Sequence, residues 1–115
     1  MHIGTAREFF GTLASRGHDP RLVDASGIWQ FDVDGLGSWQ LRVDHGAFAV
    51  DEGPRGQPTT RLQISEPELV RLANGDGHEN LHTALLRGAV RLGGDFRFAQ
   101  KLWAIVPFPD DWRTA

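Results

Sequence analysis

The sequence predicts an α+β fold in which one layer of helices covers one face of a five-stranded sheet. Two observations predict it. Apolar residues recur at every second position in five short runs between residues 27 and 92, as they do in half-buried strands. Around these runs lie about four stretches of helical period, most of them opened by a capping residue.

Thr5-Ala6-Arg7-Glu8 is a capping box. Ala6, Phe9, Phe10, Leu13 and Ala14 then share one stripe, and Gly17 ends the helix. One apolar stripe marks a structural helix. His18-Asp19-Pro20 is a loop. From Gly27 the period becomes two: Trp29, Phe31 and Val33 alternate with Gln30 and Asp32, and after the turn Asp34-Gly35-Leu36-Gly37, Trp39, Leu41 and Val43 alternate with Gln40 and Arg42. His45-Gly46 is a tight turn, and Phe48 and Val50 continue the apolar face, giving a three-strand antiparallel meander. A loop over Asp51–Pro58 precedes a fourth strand marked by Thr60, Leu62 and Ile64. Ser65-Glu66-Pro67-Glu68 is a second capping box, opening a helix with Leu69, Val70 and Leu72 that stops at Asn74-Gly75. Glu79 to Leu86 reads as a short helix, Gly88 as its exit and Ala89 to Leu92 as the fifth strand, which Gly93-Gly94 breaks. The second sheet face, with Gln30, Asp32, Gln40, Arg42, Arg61, Gln63 and Arg91, is expected to be wet.

The final helix, over about residues 96–106 with Asp95 as its N-cap, differs from the others. Phe96, Phe98, Ala99, Leu102, Trp103, Ile105 and Val106 leave only a narrow polar strip of Arg97, Gln100 and Lys101. A helix packed on one neighbour needs an apolar stripe of only about 100°. The surplus fits a helix buried on two sides, a dimer contact, or the wall of a cavity for an apolar ligand.

At 115 residues the chain is expected to form one domain, residues 1–115. The absence of Cys excludes disulfides, thiol nucleophiles and thiolate metal sites. A formal net charge of −3 argues against nucleic acid as the main partner. No apolar run approaches a membrane span, and Arg7 and Glu8 interrupt the first apolar stretch as they would not in a signal peptide. A cytoplasmic location is the expectation. Charge is uneven: residues 17–53 hold seven acids and two bases, whereas residues 84–103 hold Arg87, Arg91, Arg97 and Lys101 against Asp95 alone. That second segment is a solvated surface, or a weakly basic face suited to transient contact with anionic headgroups at a membrane surface.

Catalytic signals are sparse. His78-Glu79-Asn80-Leu81-His82 fits H-E-x-x-H, the spacing that sets two imidazoles on one helix face for zinc. It follows Asn74-Gly75-Asp76-Gly77, which places it at a helix start, and neither Glu nor His follows His82 to supply a third ligand. No metal site is therefore expected. His2, His18 and His45 fall in loops or termini, and Asp34 beside Gly35 is a turn former. Phosphate-binding, dinucleotide-binding and nucleophile-elbow motifs are absent, so no cofactor and no catalytic residue is expected. Trp29 and Trp39 belong to the apolar sheet face, Trp103 is core or cavity wall, and Trp112 covers a cavity or dangles.

The order of the pieces carries a resemblance. Gly37-Ser38-Trp39-Gln40-Leu41 begins a strand and Glu52-Gly53 a loop. Thr59-Thr60-Arg61-Leu62-Gln63-Ile64-Ser65 then leads into Glu68-Leu69, Leu72 and Gly75. Ala84-Leu85-Leu86-Arg87-Gly88-Ala89-Val90-Arg91-Leu92-Gly93-Gly94-Asp95 follows, with Ala99 and Leu102 behind it. Over about residues 27–106 this succession resembles the sterol-carrier-protein-like family, the lipid-binding domain of type-2 sterol carrier proteins (SCP-2). The resemblance implies a mixed five-stranded sheet with helices packed on one face. It also implies an apolar tunnel between them for fatty acyl chains, sterols or similar molecules. Its walls would include Leu69, Leu72, Leu85, Leu86, Phe96, Ala99, Leu102, Trp103 and Val106.

Three functions follow as expectations. The first is a soluble binder or carrier of a lipid or other apolar small molecule. The second is a small biosynthetic enzyme, or enzyme subunit, acting on such a molecule in the same cavity, for which no acid/base pair assembles. The third is a non-catalytic dimerising module seamed through the last helix. The sequence does not fix the oligomeric state.

Overall fold

The computed structural model describes residues 2–76 and 81–113. In chain order the elements are α1 (Ala6–Arg16), β1 (Ser26–Val33), β2 (Gly37–Asp44), β3 (Ala47–Glu52), β4 (Thr60–Ile64), α2 (Glu66–Asn74), α3 (Leu81–Leu86), β5 (Val90–Gly94), α4 (Phe96–Lys101) and α5 (Asp110–Arg113). Short 3-10 turns occupy Pro20–Leu22 and Leu102–Ala104. Among the described residues no helix is long and apolar enough to cross a membrane.

The strands form one mixed sheet in the order β3-β2-β1-β4-β5. β1 pairs with β2 antiparallel, placing Trp29 beside Leu41, and with β4 parallel, placing Phe31 beside Leu62. β4 pairs with β5 antiparallel, placing Leu62 beside Leu92. This register sends the period-two apolar residues to one face. Trp29, Phe31, Val33, Trp39, Leu41, Val43, Phe48, Leu62, Ile64 and Val90 are buried there, while Val50 and Leu92 on the two edge strands are half-buried.

The helices cover that face. Thr5 caps α1, its Oγ1 accepting from the Glu8 N–H at 3.1 Å. Ser65 caps α2 in the same way, but the Glu68 carboxylate reaches Arg87 at 2.9 Å instead of closing the box. Glu66 in the first turn of α2 accepts the Ala6 N–H at 2.9 Å, tying the two helix starts together. From α1, Phe10 stacks on Trp39 and Phe9 meets Phe31 edge-on. The end of α2 gathers both ends of the chain: Asn74 exchanges two hydrogen bonds with the Ile3 backbone, and the Phe108 N–H donates to the Ala73 carbonyl.

The outer sheet face departs from the expectation. Arg42, Arg61, Gln63 and Arg91 are exposed there, but Gln30 is 5% and Gln40 0% exposed. The strand order explains the burial. β3 lies at one edge and β4 on the far side of β1, so their connection must cross β2 and β1. The segment over residues 53–59 makes that crossing on the face away from the helices, and Gln40 anchors it. Gln40 Oε1 accepts from the Arg55 and Gly56 N–H groups, and Nε2 donates to the Gly56 carbonyl at 2.8 Å and to Gln30 at 2.9 Å. Gln30 passes the chain on to Asp32, which Ser38 and Arg61 also meet.

Two boundaries differ as well. β5 runs through Gly93 to Gly94, which pairs with Thr60. Gly94 has φ +91°, and a Cβ there would collide with the Thr59 carbonyl oxygen, so glycine continues this strand where a larger residue would not fit. The last helix is shorter than predicted: α4 ends at Lys101 and passes into the 3-10 turn. Pro107 restricts the residue before it to extended backbone and lacks an N–H, so a helix does not run on through Val106.

Candidate functional site

The layer between the inner sheet face and the C-terminal helices is built around α4. Asp95 caps it, Oδ1 accepting from the Arg97 and Phe98 N–H groups. The same residue fixes the helix start to the sheet, because its N–H donates to the Thr59 carbonyl at 2.9 Å and its carbonyl accepts from Thr60 Oγ1 at 2.6 Å. Thr59 in turn bonds the Ile28 backbone through its Oγ1 and its N–H. The N-terminal end of α4 is thus latched to both β4 and β1.

From this anchor α4 turns Phe98, Ala99 and Leu102 inward. The Phe98 ring stacks on the Trp29 indole at 4.5 Å between centroids, and Trp29 Nε1 donates to the Phe98 carbonyl at 3.1 Å. Gly27 makes room for the ring: a Cβ at that position would come within 2.9 Å of it.

The nine residues assigned to the cavity wall fall into two groups. Leu69, Leu72, Ala99, Leu102 and Val106 are at most 2% exposed, and Leu85 is half-buried. Leu86, Phe96 and Trp103 point outward, 74%, 48% and 38% exposed. Trp103 lies against His82 of α3, edge-on at 5.4 Å. His78 and Glu79 of the H-E-x-x-H match lie outside the described residues.

Sequence reasoning missed the part played by Trp29 and Phe98. Both lie on the apolar pattern, but only the ring contact and the hydrogen bond between them show that α4 reaches β1. It also left Trp112 open. That side chain is buried, donates from Nε1 to the buried Asp19 carboxylate at 3.0 Å, and stands over Phe48 and Phe108. A separate half-open pocket of about 220 Å³ is lined by Thr5, Ala6, Arg7, Leu36, Trp39 and Glu66, none of them among the nine.

Solved structures share this fold. A stereoselective inverting sec-alkylsulfatase from Pseudomonas sp. matches with TM-score 0.71 and 20% identity over 86% of this chain, which spans only 16% of that enzyme. Sterol carrier protein 2 from Yarrowia lipolytica, in its apo form, matches with TM-score 0.67 and 19% identity, covering 84% of this chain and 85% of that one. The sterol carrier protein domain 2 of Helicoverpa armigera matches with TM-score 0.65 and 21% identity, covering 93% and 82%. A comparison with curated protein sequences finds no match. Residues 9–107 match the model of the SCP-2 sterol transfer family, and the chain belongs to that family.

Proposed function

We propose that the protein binds and carries an apolar small molecule, a fatty acyl chain, a sterol or a molecule of similar shape, between the inner sheet face and the C-terminal helices. The observation that supports it is the two-sided apolar character of the α4 segment. Leu102 and Ala99 are buried, yet Phe96 and Trp103 on the same segment remain exposed. A helix that served only to cover the core would leave polar residues outside. The wall in this reading comprises the inward-facing Leu69, Leu72, Leu85, Ala99, Leu102 and Val106, with the outward-facing Leu86, Phe96 and Trp103 at its outer margin. The ligand enters by displacing α4 from the Trp29 side, and the residues freed from Phe98 become part of its surroundings. Burial of about 300 Å² of apolar surface at about 25 cal/mol per Å² supplies affinity in the micromolar range.

The test pairs probe binding with melting on the same variants. The wild-type protein is expected to bind a fluorescent fatty acid with micromolar-range affinity. Trp103→Asp is expected to stay folded, since the side chain is 38% exposed, and to lose the probe. Leu102→Asp, at a position 0% exposed, is expected to unfold the protein by placing an unpaired charge in the core. A wild-type protein that takes up neither acyl nor polycyclic probes would sink the reading.

A further inference from the structure

We infer that the outward face of α3 and α4 is the surface by which this protein adsorbs to anionic lipid membranes. The inference takes from the carrier reading only the reason to visit a membrane; the adsorption is measured independently of it.

Among the described residues, Leu86, Phe96 and Trp103 are three of the five large hydrophobic side chains that stand exposed, the other two being Val23 and Leu36. They form one surface. Phe96 opens α4 and Trp103 lies in the 3-10 turn that continues it, and both stand exposed. On α3, His82 and Leu86 are one turn apart on one side, and the His82 ring meets Trp103, which joins the two outer faces. Arg97 and Lys101, also one turn apart, occupy the adjoining flank of α4 and are exposed. Among the described residues neither cation has a carboxylate within ion-pair distance. Asp95, the single acid between residues 84 and 103, spends its Oδ1 on the helix cap.

Charge complementarity selects the occupant. The whole chain carries −3, but the cations on this patch are Arg97 and Lys101, both exposed, while Arg87 is engaged with Glu68 and Arg91 lies on the outer sheet face. Aromatic rings that settle at headgroup depth, beside cations that reach phosphates, are the composition of an interfacial surface. A second copy seated on the same patch through a two-fold axis would bring the two sets of cations together. An anionic bilayer presents the opposite charge over the whole patch.

Co-sedimentation with vesicles tests it. The full chain is expected to partition onto phosphatidylcholine vesicles containing about 30% phosphatidylserine, and to be released at about 0.5 M salt. Arg97→Gln with Lys101→Gln is expected to weaken partitioning about 30-fold, about fivefold per cation, with the melting temperature and the affinity for a soluble acyl probe unchanged. Phe96→Ser is expected to weaken partitioning as well, and the protein is expected to remain monomeric. Partitioning that is absent, that is equal on neutral vesicles, or that survives the double variant would overturn the inference. So would a wild-type dimer that Phe96→Ser dissociates. Probe binding without adsorption removes this surface and leaves the carrier reading; adsorption with the predicted charge dependence but no probe binding does the reverse.

Discussion

Trp29 and Phe98 are held to each other twice, by ring stacking at 4.5 Å and by the 3.1 Å hydrogen bond from the indole N–H to the Phe98 carbonyl. The pair ties the central strand to the helix proposed as the moving wall, and in the carrier proposal it stands on the ligand's entry route. Trp29→Ala is expected to destabilise the fold by about 3–5 kcal/mol, the range for losing a large buried aromatic. Trp29→Phe keeps an aromatic ring on Phe98 but removes the donor, and is expected to cost about 1–2 kcal/mol. It also loosens α4, so its affinity for an acyl probe is expected to rise while its stability falls. Urea unfolding and probe titration on the two variants check both signs; equal loss of stability and of affinity in Trp29→Phe would contradict the proposed entry route.

Gln40 predicts a different effect. Its amide bonds the loop backbone three times and Gln30 once, at a position with no solvent exposure. Gln40→Leu strands two loop N–H groups and one carbonyl without their partner. It is expected to cost about 2–4 kcal/mol, from about 1–3 kcal/mol for each group that water does not recover. The loop then lifts from the sheet, and trypsin is expected to cut after Arg55 in the variant well before it cuts the wild type. A variant with unchanged melting and no new cleavage would show that the loop holds itself.

These two cases mark what the sequence could say. Period-two alternation gave the inner face because burial of Trp29, Phe31, Leu41 and Leu62 depends only on position within each strand. It misread Gln30 and Gln40 because a polar residue opposite an apolar one reads as solvent-facing, and only the strand order sends a loop over it. The helix starts were legible through Thr5, Ser65 and Asp95, whose side chains act locally. The α4 stop was not, because its apolar period continues past Lys101 while Pro107 lies several residues on. For the candidate site, periodicity named an apolar helix; it had no means to tell inward Leu102 from outward Trp103, which occupy the two margins of one wide arc.

Asp32 provides the acid-side prediction. Partial burial pushes its carboxyl up, but hydrogen bonds from Ser38, Gln30 and Arg61, with the charge of Arg61, outweigh that and hold it below the usual carboxylate value. A carboxyl whose value is lower in the folded protein stabilises the fold above the unfolded value, near 4, and the contribution is lost as pH falls through the folded value. Stability is therefore expected to drop as pH falls from about 4 toward the lowered value of Asp32. Asp32→Asn is expected to lower the melting temperature near neutral pH and to flatten that part of the acid limb. Parallel acid limbs for variant and wild type would rule Asp32 out as a contributor.

The last prediction concerns the C-terminal segment, where Asp19 is the anchor. Its carboxylate is 2% exposed and receives the Arg21 N–H at 2.8 Å and Trp112 Nε1 at 3.0 Å, with the Arg21 guanidinium at 3.3 Å. Around it, Arg16 donates to the Trp112 carbonyl and stands 5.3 Å over the indole ring, while Arg21 bonds Asp111. That Arg21 hydrogen bond holds the exposed Asp111 carboxyl below its usual value, but an exposed pair of this kind adds little stability. The weight falls on the buried pair. Trp112→Phe retains most of the ring volume over Phe48 and Phe108 and leaves one carboxylate oxygen of Asp19 without its donor. The expected cost is about 1–3 kcal/mol, as for a buried acceptor left unpaired. Asp19→Ala removes the carboxylate, strands the indole N–H, and also uncaps the turn at Pro20–Leu22, so its expected cost is larger by about 1 kcal/mol. Asp111→Ala, on the exposed side of the same cluster, is expected to leave the unfolding midpoint close to that of the wild type. In urea unfolding the order of loss should be Asp19→Ala, then Trp112→Phe, then Asp111→Ala. If Asp111→Ala proves the most damaging, the surface ion pair and not the buried indole contact fastens the C-terminal segment to α1 and β3.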